Sequence, residues 1–292
     1  MKHIIPIDSY TRKFKKLREF YYTYSIKLNP KNSYELLINK VESKLIDNQS
    51  NYTFTIKIPE SIELINKGLK NNIEEEIDLI DINIFFDRIF IINLPQHKKR
   101  RKVTERRLKE QNITNYEFIE GVDGKELEDG EISRYELGCL LSHKKVVNKS
   151  KQQKYKKILV FEDDIVFHRE FKKLVSILLG QESDIWYLGC SQVPNTIDTI
   201  EIVDDHIYSS NRCNGTYAFG YTEEVFDNIL SFMETKPVDV QLQSLQEGRS
   251  KVVYPNAVIS DVSESYIRGG RDMQRYSELV CWKLEDYLFD IV

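Results

Sequence analysis

The sequence has few cysteines, and their spacing is not that of a disulfide framework. The 292-residue chain contains four cysteines, which are widely separated and form no CxxC pair. A small disulfide scaffold or a thiolate zinc site usually needs more closely paired cysteines. We therefore predict reduced and mostly buried thiols at Cys139, Cys190, Cys213 and Cys281.

Long apolar runs are also missing from the sequence. A membrane-spanning helix needs about 18–20 apolar residues in a row, and no window reaches that length without charged residues. Pro6 and Asp8 interrupt the first residues before the apolar region of a signal peptide could form. We therefore expect no transmembrane segment and a cytoplasmic location.

Neither sign of charge is in large excess. The chain has 42 Lys and Arg against 46 Asp and Glu, for a formal net charge of −4 at pH 7. Non-specific nucleic-acid binding needs a surplus of basic residues that contact phosphates, so we expect no nucleic-acid partner. Hydrophobic residues make up 41% of the chain. This fraction argues against disorder and is sufficient for the core of one or two domains.

The N-terminal region, residues 1–84, differs in composition from the rest of the chain. It contains one glycine, Gly68, and neither cysteine nor tryptophan. We interpret it as a small α/β extension of unknown role, followed by a larger domain over residues 85–292. The elements predicted in the extension are helices over residues 11–27 and 34–46 and a strand over residues 52–59.

From residue 85 onward, short apolar runs alternate with longer segments of helical periodicity. The short runs are typical of buried strands, and the intervening segments predict helices. Ser133 and Glu136 have the spacing of a capping box, which marks the start of one helix. The predicted strands cover residues 88–94, 115–121, 157–161 and 184–189. This alternation predicts a parallel-centred α/β sheet that binds ligands at the carboxyl ends of its strands.

Three consecutive carboxylates, Glu162, Asp163 and Asp164, end the strongest predicted strand. Like charges beside a low-dielectric core repel each other and lose hydration, so a compensating group is expected. A divalent cation such as Mg²⁺ or Mn²⁺ suits these hard oxygen ligands. If strand geometry continues, Glu162 and Asp164 share one face and Asp163 takes the other. The alternative is that these acids cap the next turn or pair with Arg169 and Lys172.

The acidic triplet is one of four segments that together resemble a known family. The segments are Ile91-Ile92-Asn93-Leu94 with Arg100-Arg101, Gly121-Val122-Asp123-Gly124, Glu136-Leu137-Gly138-Cys139-Leu140-Leu141-Ser142-His143, and Leu159-Val160-Phe161-Glu162-Asp163-Asp164. Their order and spacing resemble glycosyltransferase family 25, which includes bacterial lipooligosaccharide galactosyltransferases and procollagen galactosyltransferases. The resemblance covers about residues 87–262, and it leaves the N-terminal extension unexplained.

The resemblance implies a GT-A-like, Rossmann-type mixed sheet flanked by helices. It also implies Mn²⁺ or Mg²⁺ as the cofactor and a UDP-sugar as the donor. The expected reaction transfers a hexose, galactose or glucose, to a hydroxyl of a glycan or hydroxylysine-type acceptor, with inversion. Two alternatives stay open. One is a catalytically silent binding or scaffold protein of the same fold, and the other is a metal-dependent nucleotide-sugar phosphohydrolase or nucleotidyltransferase.

The geometry of the strand end and the reaction implied by the resemblance together give candidates for the metal ligands and the base. Glu162 and Asp164 are the expected metal ligands. Many enzymes of this fold take a further ligand, often histidine, from near the C-terminus, but no histidine follows His206 here, and Asp261 is the candidate oxygen substitute. Asp239 is the candidate base, because inversion requires a group that accepts the proton of the attacking hydroxyl. The alternative for Asp239 is a helix N-cap, a position that aspartate favours.

The donor site is expected in the loops that follow the first two strands. Asn93 and Leu94 can offer backbone groups to uracil or ribose. Arg100 and Arg101 are the candidates to reach phosphate, and the family pattern favours Arg101. Asp123 is a candidate partner of a ribose hydroxyl, with Gly124 beside it. The alternatives are that the basic run is a solvated helix face and that Asp-Gly is only a turn.

Three further residues are assigned to the donor site. Ser142 and His143 lie one helical turn after Gly138, and the family match favours a substrate-facing role for both. The alternative for His143 is a buried histidine that is hydrogen-bonded within the core. Asp163 is assigned to donor binding rather than to the metal.

Overall fold

The structure is a computed structural model that describes residues 79–192, 200–265, 269–280 and 282–289 and the backbone of the strands in the N-terminal extension. Those strands are β1 (Lys2–Ile5), β2 (Tyr21–Lys27), β3 (Tyr34–Ile38), β4 (Glu42–Ile46), β5 (Asn51–Lys57) and β6 (Ile62–Asn66). They form one antiparallel sheet in the order β1-β6-β3-β4 and a separate antiparallel pair of β2 and β5.

The two helices predicted in the N-terminal extension are wrong in the segments that the structure describes, because those segments are strands. β2 occupies the end of the first predicted helix, and the β3–β4 hairpin occupies the second. The remaining residues of the first predicted helix, 11–20, lie outside the described ranges. Strand β5 confirms the strand predicted over residues 52–59. Tyr, Ile and Thr favour extended backbone when a partner strand is available, and that pairing overrode the helical spacing.

The strands that follow β6, in chain order, are β7 (Arg88–Asn93), β8 (Tyr116–Glu120), β9 (Lys157–Glu162), β10 (Ile165–Phe167), β11 (Ile185–Ser191), β12 (Ile200–Ile202), β13 (Ile207–Ser210), β14 (Asn214–Thr222), β15 (Ser250–Val253) and β16 (Val258–Ser260). The α-helices are α1 (Ile82–Phe85), α2 (Lys98–Glu110), α3 (Arg134–Gln153), α4 (Phe171–Leu179), α5 (Phe226–Ser231), α6 (Val238–Leu242) and α7 (Met273–Val280). None of the helices in the described ranges has the length and apolarity needed to cross a bilayer.

The central sheet of the described domain has eight strands in the order β12-β13-β15-β11-β14-β9-β7-β8. Strands β8, β7 and β9 are parallel, β11 and β15 are parallel, and β14 runs antiparallel between β9 and β11. The chain therefore has the expected GT-A-like, Rossmann-type mixed sheet flanked by helices.

Apolar side chains are buried on both faces of this sheet. Phe90 belongs to the core cluster that contains residues of α3, α5 and α6, whereas Ile89 and Ile91 belong to the cluster that contains residues of α2, α4 and α7. This alternation explains why β7 has a continuous apolar sequence, since a strand covered on both faces needs apolar side chains at every position.

Helix α3 begins with the predicted capping box. Glu136 N donates to Ser133 Oγ, and Ser133 N donates to the Glu136 carboxylate, at 3.3 and 3.0 Å. Gly138 then allows close packing, since a Cβ there would lie 2.7 Å from the carbonyl oxygen of Val122. The start of α3 is therefore held directly against the loop that follows β8.

The described cysteines fit the prediction of reduced thiols. Cys139, Cys190 and Cys213 are free, and the last two are buried. Cys281 lies outside the described residues.

Candidate active site

The carboxyl ends of β7, β8 and β9 meet at one edge of the sheet, as expected for parallel strands. Asn93 is in register with Glu120 on β8, and Ile92 is in register with Glu162 on β9. Asn93 is buried, and its side-chain amide donates to Asp163 Oδ2 at 2.6 Å. The structure therefore brings the end of the first predicted strand into contact with the acidic triplet.

The acidic triplet does not alternate between faces as predicted. Strand β9 ends at Glu162, and Asp163 and Asp164 form a turn before β10. Arg100 Nη2 contacts Asp163 Oδ1 at 2.5 Å and Asp164 Oδ2 at 3.1 Å, so the two aspartates share one cation. Glu162 instead accepts a 2.7 Å hydrogen bond from Thr216 on β14. The correction arises because a turn does not keep the side-chain alternation of a strand.

Burial and mutual repulsion shift the pKa values of the triplet. Burial is the main cause that raises the pKa of Asp164 to about 7, with Glu162 and Asp163 adding to the rise and Arg100 opposing it. Burial also raises the pKa of Asp163. For Glu162, burial acts in the same direction, but His143, Thr216 and Arg100 outweigh it, and its pKa is lowered. Asp164 therefore loses its proton least readily of these side chains.

Asp164 also carries a polar atom with unused bonding capacity. Its Oδ1 is buried and has no hydrogen-bond partner among the described residues. Leaving a buried acceptor unpaired costs about 1–3 kcal/mol. A cation or a donor group bound at this edge would remove that cost.

One face of helix α2 binds the acidic triplet and the residue after it through ion pairs and hydrogen bonds. Besides the two ion pairs of Arg100, Thr104 Oγ1 donates to the Asp163 carbonyl at 2.8 Å and Arg107 Nη1 donates to the Ile165 carbonyl at 2.7 Å. The sequence predicts no role for Thr104 or Arg107, and the family pattern favours Arg101 over Arg100 as the arginine that reaches phosphate. The spacing of Arg100, Thr104 and Arg107 at positions i, i+4 and i+7 was the available signal, because such residues share one face of a helix.

Arg101, the arginine predicted to reach phosphate, points elsewhere. Its guanidinium pairs with Glu105 at 3.0 Å and lies 4.0 Å from the centre of the Phe118 ring. About half of its side chain is exposed. The structure therefore brings Arg100, and not Arg101, to the acidic triplet.

The two neighbouring arginines give a matched mutational test. We expect Arg100→Met to lower the free energy of unfolding by about 2–4 kcal/mol at neutral pH, because it leaves two buried carboxylates without their cation. Arg101→Met should cost less than about 1 kcal/mol, since exposed ion pairs contribute little. Urea denaturation of both variants checks this expectation, and equal losses would contradict it.

The loop after β8 is fixed by its own hydrogen bonds. Asp123 accepts from the backbone of Lys125 at 2.9 Å and from the side chain of Gln96 at 2.5 Å. A Cβ at Gly124 would lie 2.7 Å from Tyr135 on α3. Asp123 and Gly124 thus form the turn that was their alternative interpretation. A contact between Asp123 and ribose stays a prediction.

The loop after β7 also forms a turn at the same edge. His97 N donates to the Leu94 carbonyl at 2.8 Å, and Leu94 is half-buried. The His97 ring lies 3.8 Å from Asp163, and burial lowers the pKa of His97 despite that carboxylate. The Asn93 side chain is hydrogen-bonded to Asp163, and the His97 ring lies beside the same carboxylate. This loop therefore approaches the acidic triplet through both residues.

Ser142 and His143 occupy different surroundings on α3. Ser142 is buried, accepts from the Val122 backbone at 2.8 Å and donates to the Gly138 carbonyl at 2.6 Å, which fastens the helix to the loop after β8. His143 is 1% exposed, and its Nε2 lies 3.9 Å from Glu162 Oε1. His143 thus faces the acidic strand end, whereas the hydroxyl of Ser142 is satisfied within the protein.

Asp261 lies beside Asp164 through its backbone. Its N–H donates to the Asp164 carbonyl at 2.8 Å. Its carboxylate instead accepts from the backbone and hydroxyl of Ser263, at 3.1 and 2.5 Å, and caps a short 3₁₀ turn. The predicted ligands Glu162, Asp164 and Asp261 are therefore brought together by backbone contacts. Their carboxylates, however, are bound to different partners.

Asp239 lies in the first turn of α6, where the N-cap position belongs to Pro237. Its Oδ2 accepts from the Gly215 backbone at 3.3 Å, and its Oδ1 accepts from the backbone of Val240 at 2.9 Å. Gly215 precedes Thr216, which donates to Glu162. Asp239 is thus linked through two adjacent residues of β14 to the acidic strand end, and it is not the N-cap itself.

A known family model matches the part of the chain that contains the acidic triplet. The model of glycosyltransferase family 25, described as an LPS biosynthesis protein family, matches residues 86–236. The match includes β7, β8, β9 and the acidic triplet, and it extends over more than half of the chain. The chain belongs to glycosyltransferase family 25. Asp239 and Asp261 lie beyond the matched range.

Curated members of family 25 align with part of the chain. Procollagen galactosyltransferase 2 of Homo sapiens is 35% identical over 151 residues, which is 40% of this chain and 24% of that protein. Procollagen galactosyltransferase 1-A of Xenopus laevis is 27% identical over 174 residues, which is 50% of this chain and 28% of that protein. This chain therefore spans about a quarter of the length of these relatives.

One solved structure shows a weak similarity to this chain. The crystal structure of A197 from STIV superimposes with a TM-score of 0.34 and 14% sequence identity, over 56% of this chain and 79% of that one.

Proposed function

We propose that this chain transfers a hexose, galactose or glucose, from a UDP-sugar to a hydroxyl of a glycan or hydroxylysine-type acceptor, with inversion. The observation that carries the proposal is the acidic cluster, which consists of the acidic triplet and its partners Asn93 and Arg100. The cluster lies where β7, β8 and β9 meet, inside the segment matched by the family model. Membership in family 25 and the procollagen galactosyltransferase relatives support the type of reaction.

The acidic cluster suits a hard divalent cation such as Mn²⁺ or Mg²⁺. Asp164 Oδ1 is buried without a hydrogen-bond partner in the described part of the chain, and Glu162 supplies a second carboxylate whose charge helps to raise the pKa of Asp164. Glu162 and Asp164 are the proposed ligands, with Asp261 as a third that must leave Ser263. When bound, such a cation would neutralise charge on the departing diphosphate.

In the proposed reaction, the bond between the anomeric carbon and the diphosphate breaks while the acceptor oxygen forms a new bond at that carbon. Asp239 takes the proton of the acceptor hydroxyl, and UDP leaves. Arg100 lies at the same edge and offers positive charge to the phosphates, although it must share that charge with Asp163 and Asp164. Asn93 holds Asp163 in place through its side-chain amide.

Thermal unfolding with UDP and Mn²⁺ tests the donor site. We expect a higher melting temperature when both are present, because a ligand at about 100 times its Kd stabilises the folded state by about 2.7 kcal/mol. UDP alone and Mn²⁺ alone are the controls and should each produce a smaller shift. No shift with the pair would favour a silent binding or scaffold protein.

Product analysis then separates transfer from phosphoryl chemistry. Incubation with UDP-galactose or UDP-glucose and a glycan or hydroxylysine acceptor should release UDP and a glycosylated acceptor. Release of UMP and a sugar phosphate would instead identify a pyrophosphate-cleaving enzyme. The two outcomes differ in which bond of the donor breaks.

A further inference from the structure

A second group of side chains converges at Glu162, beside the acidic cluster. Cys139 Sγ, a ring nitrogen of His143 and a carboxylate oxygen of Glu162 all lie within 4.8 Å of one another. Among the described residues, no other group of three His, Cys, Asp or Glu side chains brings its ligand atoms this close together. It combines sulfur, nitrogen and oxygen donors, unlike the all-carboxylate set predicted from the sequence.

The fold brings these three residues together from two elements. Cys139 and His143 are four positions apart on α3, so they lie on the same helix face. Glu162 is the last residue of β9 and faces that helix. Because no second cysteine takes part, the spacing of cysteines in the sequence does not reveal this arrangement.

His143 has the clearest unfilled requirement in this group. The side chain is 1% exposed, and neither ring nitrogen has a hydrogen-bond partner among the residues that the structure describes. Its Nε2 lies 3.9 Å from Glu162 Oε1, which is too far for a direct hydrogen bond. Leaving a buried polar group unpaired destabilises the folded state. A ligand bound between the two side chains would satisfy both His143 and Glu162.

We infer that Cys139, His143 and Glu162 form a Zn²⁺ site with three protein ligands and one open position. Thiolate and imidazole favour Zn²⁺, whereas Mg²⁺ and Mn²⁺ prefer oxygen ligands. Tetrahedral zinc places its donor atoms about 3.5 Å apart, so closing the observed group needs side-chain shifts of about 1 Å. Binding releases the thiol proton of Cys139 to water.

Thr216 gives this site a fourth polar neighbour. Its Oγ1 lies 3.8 Å from Cys139 Sγ and donates to Glu162 Oε1 at 2.7 Å. Thr216 therefore positions Glu162, and a water molecule or a substrate oxygen can take the open position. Glu162 would be a ligand of both the zinc site and the proposed Mn²⁺ or Mg²⁺ site at Asp164, whereas Cys139 and His143 belong to the zinc site alone. Zinc binding does not depend on sugar transfer.

Metal content of the full chain tests the zinc site directly. After incubation with ZnSO₄ and removal of unbound metal by gel filtration, elemental analysis should find close to one zinc per chain in the unchanged protein. Cys139→Ser should lower zinc affinity by at least about tenfold, as loss of a metal-site group typically does. Cys190→Ser, which changes a buried thiol outside the group, is the matched control and should retain zinc.

Cobalt replacement identifies the sulfur ligand. Co²⁺ in this site should show a thiolate-to-metal absorption band in the unchanged chain and in Cys190→Ser, and the band should be absent in Cys139→Ser. His143→Gln removes a different ligand and should produce the same loss of zinc. Circular dichroism of each zinc-free variant checks that the fold is retained.

The inference is overturned if the unchanged chain binds no stoichiometric zinc, or if Cys139→Ser keeps both the zinc and the cobalt band. Asp164→Asn separates this result from the proposed function. That variant should keep zinc while losing Mn²⁺-dependent UDP binding. Zinc binding without transferase activity would leave the zinc site standing and count against the proposed function alone.

Discussion

Replacing Asp164 with asparagine is expected to abolish sugar transfer and, in the metal-free chain, to raise stability at neutral and alkaline pH. The pKa of Asp164 is raised from 3.8 to about 7, mainly by burial. A carboxyl whose pKa is higher in the folded state destabilises that state once the pH exceeds both pKa values. Asparagine removes the buried charge, so we expect a gain of about 2–4 kcal/mol at about pH 8.

The pH dependence gives this prediction its sharpest test. Below about pH 4, Asp164 is protonated in both the folded and the unfolded state, so the advantage of asparagine should disappear. It should grow as the pH rises from about 4 to 7 and then remain constant. Urea denaturation in EDTA, at several pH values across this window, measures the difference between the two proteins.

Asp261→Asn is the matched control for Asp164→Asn. The Asp261 carboxylate caps a 3₁₀ turn by accepting from Ser263, and asparagine can serve in the same position. We therefore expect little change in stability and no comparable gain above pH 7. If Asp164→Asn were no more stable than the unchanged chain at high pH, burial would not be the dominant influence on Asp164. Unchanged turnover would remove Asp164 from the active site.

Asp239→Asn should lower kcat by about 10²–10⁴-fold, the usual contribution of a general base. UDP affinity should change little, because the base acts on the acceptor proton in the transition state and not on the bound nucleotide. The amide oxygen of asparagine can still accept from one of the two backbone N–H groups that Asp239 binds, Gly215 or Val240, but not from both. Steady-state kinetics and calorimetric titration with UDP measure the two effects separately.

A carboxylate away from the site provides the comparison for Asp239. Asp227 lies on α5, is exposed and pairs with Lys151, so Asp227→Asn should alter neither kcat nor UDP affinity. Loss of UDP affinity in Asp239→Asn would place this residue in the donor pocket. Normal turnover would show that another group accepts the proton.

The larger domain follows closely from local sequence patterns. Strands β7, β8, β9 and β11 lie where apolar runs predicted them, and α3 starts at its capping box. A strand covered on both faces must be apolar throughout, and a capping box satisfies free N–H groups within four residues. Both signals act over short distances, so they are legible in the sequence.

The N-terminal extension shows where local patterns fail. Residues 34–46 have helical spacing, but their described segments form the β3–β4 hairpin, and β3 also pairs with β6. The strand-forming tendency of a segment depends on the partner strand available to it. One of the two partners of β3 is β6, which pairs at separations from Ile38↔Ile62 to Tyr34↔Asn66, beyond the range of periodicity arguments.

The choice between Arg100 and Arg101 likewise required the tertiary structure. Adjacent residues on a helix point about 100° apart, since there are 3.6 residues per turn. Which arginine faces the acidic triplet depends on how α2 rotates when Leu108 enters the core and Thr104 bonds the Asp163 carbonyl. Helix composition is the same for either rotation.

The sequence by itself determined the buried parallel strands, the acidic triplet at their carboxyl edge and the family to which these motifs belong. Tertiary structure decided which groups share that edge: Arg100 with Asp163 and Asp164, and Cys139, His143 and Thr216 with Glu162. The reason is geometric. Side-chain direction after a strand ends, and the insertion of antiparallel β14 beside β9, are set by contacts between segments far apart in the chain.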